Sequence, residues 1–189
     1  SIIDEGDFEA DRWYRILNEQ KVTVWYTAPT AIRMLMKVGT EAARQYDLSS
    51  LRFLASVGEP LNPEAVVWGR ETFGLPFHDN WWQTETGAIM ITPLPGVTTT
   101  KPGSATTPFP GIKTALLDTA GHEIGVGGGL LAITHPWPSM LRTIWGDDAR
   151  YVERPGPTSP PFPGHEMQPG QKLRADWFPV IFDRGSSAG

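Results

Sequence analysis

The sequence predicts an α/β fold: a parallel sheet with flanking helices over residues 1–95, then a small antiparallel β subdomain over 96–153 and a Pro/Gly-rich irregular tail over 154–189. Three observations carry this. Short β-branched and aromatic runs alternate with helical periodicities in the first half, and prolines placed to start helices closely follow two of those runs. After Pro93 strand-like runs succeed one another with turns, and no helix, between them.

Phe8, Trp13, Ile16 and Leu17 recur at near-helical spacing, and Val22 to Tyr26 is a short strand-like run. Thr27-Ala28-Pro29-Thr30 opens a second helix carrying Ile32, Leu35, Met36 and Val38, which Gly39 stops. Leu51 to Val57 is the next strand, broken by Gly58-Glu59-Pro60-Leu61. Asn62-Pro63 then starts a helix that runs to about Phe73. Phe77 to Trp82 resumes a strand, along which Trp81 and Trp82 alternate, so that one faces the core and the other can face a pocket. Short connections between such elements imply right-handed crossovers and a parallel sheet. Beyond the boundary, placed between Pro95 and Pro110, Ile112 to Leu117 and Leu130 to Thr134 read as antiparallel strands separated by the turn-rich Asp118 to Gly129. From Arg154 onward, seven prolines and five glycines among 36 residues leave no apolar period, which reads as loop or disorder.

Composition narrows the function classes. A formal net charge of −5 argues against a nucleic-acid or anionic-membrane surface and leaves a small molecule as the expected partner. Zero cysteines exclude a disulfide framework, a thiolate nucleophile and cysteine-based metal sites, in keeping with a reducing, cytoplasmic setting. No apolar run approaches the 18 or so residues of a membrane span. The first residue is Ser rather than Met, which points to a start inside a longer protein. His78, His122, His135 and His165 lack metal-ligand spacing, and Gly125 to Gly129 precedes a strand rather than opening a helix, which favours a hairpin turn over a phosphate loop.

In an open parallel sheet, ligands bind beyond the carboxyl ends of the strands. Three loops leave that edge: Thr27-Ala28-Pro29, Gly58-Glu59-Pro60, and Gln83-Thr84-Glu85-Thr86-Gly87. One site assembled from all three is therefore expected. In the third loop, threonine hydroxyls can donate to phosphate oxygens, and a carboxylate beside phosphates needs a bridging cation, so Glu85 suggests Mg²⁺ if a nucleotide binds. On residue types alone a solvated turn is the competing reading, as is helix capping for Glu59 and packing for Val57.

Thr84-Glu85-Thr86-Gly87 after a buried strand, with Gly58-Glu59-Pro60 upstream, resembles the adenylate-forming superfamily. The longer strings, Trp25 to Arg33, Ser56 to Ala65, Trp81 to Gly87 and Lys101 to Thr106, are similar to the AMP-forming acetyl-CoA synthetases (acetate–CoA ligases) over roughly residues 1 to 153. The resemblance implies a partial domain of an adenylate-forming enzyme, with acetate, ATP/AMP and coenzyme A as small-molecule substrates. It implies that Gly58, Glu59 and Pro60 line the adenine, and that Asp79, Asn80, Trp81, Trp82 and Gln83 flank the ring and the acyl pocket. Thr84 would contact the α-phosphate, Glu85 would hold magnesium, and Ala28 would lie near the coenzyme A tunnel. Val57 and Trp82 would wall a carboxylate pocket that a bulky indole keeps short.

Relatives of this kind also carry a phosphate loop, a Thr-Gly-Asp string, a hinge and a lid with a catalytic lysine, none of which occurs here. Trp145 to Tyr151 still fits the pattern, and the resemblance is expected to end at Arg154, with the tail read in another frame or from an altered gene end. The chain alone is therefore expected to be inactive. A ligase for propionate or another short acid, and a non-catalytic interaction fragment, are the alternatives.

Overall fold

The computed structural model describes residues 1–118, 120–140, 142–143 and 145–147, the side chain of Glu85 excepted, together with the backbone of Leu173–Arg174. The chain forms two compact units: Ser1–Trp81 with Thr92–Thr106, and Trp82–Ile91 with the residues from Thr107 onward.

In the first unit, α1 (Ala10–Glu19), β1 (Val24–Thr27), α2 (Pro29–Val38), α3 (Thr40–Ala43), β2 (Phe53–Ser56), α4 (Pro63–Phe73) and β3 (Phe77–Asp79) follow in order. The strands pair parallel in the order β1-β2-β3. Ala10, Trp13, Tyr14 and Leu17 recur at helical spacing, and Tyr14 and Leu17 are buried, which is why α1 lies on the sheet. Pro29 opens α2 and Gly39 follows its last residue, as expected; Pro63 and Gly74 bracket α4 in the same way. The short α3 is unanticipated, because a single turn with one buried residue, Ala43, is too brief for a period to register.

The register sets Trp25 beside Leu54 and Leu54 beside Phe77, so one face of the sheet presents a row of large apolar groups. Trp68 of α4 stacks on Phe77 with centroids 6.4 Å apart, and Phe73 meets Trp25, Trp68 and Phe77 edge-on at 5.2–6.2 Å. Burying each such side chain contributes about 1.5 to 3 kcal/mol, so this cluster is the main source of cohesion in the unit. On the opposite face His78 is buried, pairs through Nδ1 with the Leu54 carbonyl at 3.0 Å and lies against Phe53. Burial holds its pKa below the ordinary value, so it is a neutral, structural histidine.

The third strand is shorter than expected and stops at Asp79. Its partner among the described residues, β2, ends at Ser56, where Gly58 then turns the backbone to a φ of +103°. One more bond, from the Asn80 amide to the Ser56 carbonyl, ends the β2–β3 ladder. Trp81 and Trp82 therefore lie beyond the strand, both half-buried, and do not alternate across a sheet.

The second unit carries a 3₁₀ turn (Thr84–Thr86) and an antiparallel sheet of β4 (Thr114–Leu117), β5 (Glu123–Ile124), β6 (Leu130–Ile133) and β7 (Leu173–Arg174), in the order β5-β4-β6-β7. Ala115, Leu117 and Ala132 form its core with Leu130 packed against them. The Asp118 carboxylate closes the β4–β5 turn by accepting from the backbone amides of His122 and Ala120 at 2.8 and 2.9 Å. Gly125 to Gly129 is not a hairpin turn, since β5 and β6 both pair with β4; it carries the chain from one side of β4 to the other. It also opens no helix, as expected. Of the stretch expected to be irregular, Leu173–Arg174 pair with β6, and its other residues, His165 among them, lie outside the described residues. Arg150 and Tyr151 lie outside them as well.

Candidate functional site

At the carboxyl ends of the parallel strands, Thr27, Ser56 and Asp79 stand side by side in register, one row beyond Trp25, Leu54 and Phe77 and on the same face. The apolar core is thus finished by two hydroxyls and a carboxyl. Ser56 is fully buried, and its Oγ has no hydrogen-bond partner among the described residues. Asp79 is half-buried; burial pushes its carboxyl up to about 6, against a smaller opposing effect from the Leu61 backbone amide.

Two of the three expected loops meet at this edge. Ala28, exposed, precedes α2, and Gly58, Glu59 and Pro60, also exposed, follow the half-buried Val57. Thr30 Oγ1 of α2 donates to Glu59 Oε1 at 2.6 Å, and Arg33 Nη2 donates to Glu59 Oε2 at 2.7 Å. These bonds, Arg33 first, hold the Glu59 carboxyl below its ordinary value. Glu59 therefore does not cap α4; its carboxylate is engaged by α2 instead. Asn80 is buried, and its side-chain oxygen accepts from Thr92 Oγ1 at 2.6 Å, so within this unit it ties Thr92 to the end of β3.

The third loop belongs to the second unit and is a built turn rather than a solvated one. The Thr86 hydroxyl accepts from the Gln83 amide at 3.0 Å and donates to the Gln83 carbonyl at 2.8 Å, while the Gln83 side chain accepts from the Thr86 amide, a reciprocal capping arrangement. The Thr86 carbonyl accepts from Trp137 Nε1 and from Ser139 Oγ, each at 2.8 Å, which fills both of its lone pairs. Thr86 and Trp137 are buried, whereas Thr84 is exposed and free to present its hydroxyl outward. Gly87 leaves the turn at a φ of +67°, and a Cβ there would lie 2.3 Å from the Ser139 carbonyl oxygen. Trp82 and Gln83, half-buried, lead into the turn.

Arg33, Trp137 and Ser139 are the site residues that sequence reasoning does not assign. Arg33 stands three residues after Thr30, one turn along the same helix face. Trp137 lies between Pro136 and Pro138 just after a strand, a rigid setting for an indole, and that was the available signal. Thr84 can donate to a phosphate oxygen, and the exposed Gly58–Pro60 backbone suits close approach of a planar base. Among the described residues no three His, Cys, Asp or Glu side chains could together hold a metal ion. Mg²⁺ carried mainly by phosphates and water needs only one or two carboxylates, so this donor set is compatible with it. No helix among the described residues is long and apolar enough to cross a membrane.

The AMP-binding enzyme family matches residues 2–145. The acetyl-coenzyme A synthetase of Gemmatimonas aurantiaca is 61% identical over 184 residues, covering 93% of this chain and 28% of that protein. That of Streptomyces coelicolor is 57% identical over 146 residues, covering 75% of the chain and 22% of the relative. Among solved structures, an acyl-CoA synthetase of Brucella canis superposes with a TM-score of 0.70 at 32% identity, over 91% of this chain and 29% of that one. The chain spans about a quarter of the length of the relatives it matches. The Gemmatimonas and Brucella matches run past Arg154, where the resemblance was expected to end.

Proposed function

The chain belongs to the AMP-binding enzyme family, and from that premise we propose that it is the part of an acetate–CoA ligase that holds the adenylate and the acetyl group. The reaction has two halves. The acetate carboxylate attacks the α-phosphate of ATP and releases pyrophosphate, and the thiol of coenzyme A then takes the acetyl group and releases AMP. Positioning and charge neutralisation carry such chemistry, and no protein nucleophile is required.

The turn from Gln83 to Gly87 is the observation that carries the reading. It is fixed by two donors on the Thr86 carbonyl while Thr84 remains exposed, the state wanted of a hydroxyl that meets a phosphate. In the second unit Thr84 contacts the α-phosphate, Gln83 lies beside it and Trp82 limits the acid to a very short chain. In the first unit Gly58, Glu59 and Pro60 face the adenine, Asp79, Asn80 and Trp81 flank the ring, Val57 borders the carboxylate and Ala28 lies towards coenzyme A. Glu85 binds Mg²⁺, which neutralises phosphate charge when present. Residues 1–95 and 96–153 are the α/β and β portions of one nucleotide-binding domain, in a cytoplasmic enzyme that binds neither nucleic acid nor membrane.

AMP release tests the reading. The full-length ligase should form AMP only with acetate, ATP and coenzyme A all present, at about 1 per second or faster. The 189-residue chain alone should form none. Acetate-independent AMP release by the full-length protein, or ordinary turnover by the chain alone, would contradict this.

A further inference from the structure

Neither helix that opens at the sheet edge is capped by its own N-terminal side chain. Ala28, before α2, has no capping atom. Asn62, before α4, is among the best capping residue types, yet it makes no cap bond. Its amide oxygen instead accepts from Arg33 Nη1 at 3.1 Å. The other guanidinium nitrogen, Nη2, donates to Glu59 Oε2 at 2.7 Å and to Thr30 Oγ1 at 2.7 Å, and Thr30 itself donates to Glu59. A single side chain at the start of the second turn of α2 thus holds the connection between β2 and α4 at Glu59 and again at Asn62.

This arrangement adds little to stability. Forgoing the Asn62 cap costs about 1 kcal/mol, and an ion pair as exposed as Arg33–Glu59, with side chains 39% and 45% accessible, returns about 0 to 1 kcal/mol. What it fixes is geometry. The planar fork of an arginine presents two nitrogens at a set angle, whereas a lysine at this position could serve only one of the two anchors. A capping residue diverted from its usual role marks a place where position outweighs local stability.

We propose that Arg33 is a positioning residue of the nucleotide site, acting through Glu59 and Asn62 to hold Gly58-Glu59-Pro60 in the conformation that receives adenine, without touching the nucleotide. The inference rests on the assignment of Gly58–Pro60 to the adenine face made above. Its two parts are separable by experiment in the full-length ligase. In the nucleotide-free protein, Arg33→Met should accelerate deuterium exchange at the amides of Gly58, Glu59 and Leu61 about tenfold while the interior of α4 keeps its rate. Unchanged exchange overturns the brace whatever happens with ATP.

In steady-state kinetics, Arg33→Met and Glu59→Gln should each raise KM for ATP about tenfold and leave kcat within about threefold. The double variant should be no worse than either single one, because both remove the same device. Arg33→Lys, which keeps the charge and one anchor, should fall between. Losses that multiply to about a hundredfold in the double variant would make Arg33 an independent nucleotide contact and overturn the proposal. Faster exchange with an unchanged KM would overturn its link to the nucleotide.

Discussion

Asp79 shows most directly how burial of a single group at the sheet edge makes stability depend on pH. Its carboxyl has an ordinary value of 3.8 in the unfolded chain and is raised by burial to about 6 in the fold. The fold therefore favours the protonated form. The stability this group contributes is fully present below about pH 4 and is lost as pH rises through 6. Asp79→Asn keeps an oxygen for the Leu61 amide and removes the charge. It should stabilise the protein by on the order of 2 kcal/mol at pH 7 and by almost nothing at pH 4, read from urea midpoints at the two pH values. An equal effect at both would show that burial does not raise the carboxyl. Beside it, the orphaned hydroxyl of Ser56 makes Ser56→Ala neutral or stabilising by about 1 kcal/mol, since no bond is lost and a buried polar group is removed.

Among the elements, the turn at Thr84–Thr86 depends on its exit. Gly87 has a positive φ, and its Cα faces the Ser139 carbonyl, so Gly87→Ala should cost about 2 to 3 kcal/mol and displace the Thr86 carbonyl from Trp137 and Ser139. Trp137→Phe, which keeps the ring and drops one donor, should cost about 1 kcal/mol. Urea unfolding distinguishes the two by the shift in midpoint. Elements punctuated locally are legible in the sequence: Pro29 with Gly39 and Pro63 with Gly74 delimit α2 and α4 almost to the residue. Elements whose extent depends on a distant partner are not. The end of β3 is decided by where β2 stops, and Gly125 to Gly129 is no hairpin because β5 and β6 share β4 as their neighbour. The same division runs through the candidate site. Gly58-Glu59-Pro60 and Gln83 to Gly87 are contiguous strings that can be read directly, whereas Arg33, Trp137 and Ser139 act across 26 to 53 positions of chain and acquire meaning only once the fold brings them in.

For the molecule as a whole, the parallel sheet has three strands among the described residues, and among these β1 forms one edge, with Val24 and Tyr26 about half exposed. An apolar edge of this kind pairs readily with other chains. The 189-residue chain should therefore self-associate with rising concentration, and Val24→Lys should suppress this without lowering the unfolding midpoint, as sedimentation and urea titration would report. The acetyl-coenzyme A synthetases it matches are about four times as long, and their further sequence is available to cover that edge. The central claim is that this chain supplies the acetate-sized end of an adenylate-forming site, and Trp82 is the residue on which it turns. The most direct test is the ranking of acids by kcat/KM in the full-length ligase and in its Trp82→Gly form. Acetate should lead in the parent, and the variant should shift preference toward longer acids by about tenfold or more per methylene accommodated. A ranking left unchanged by Trp82→Gly would contradict the claim.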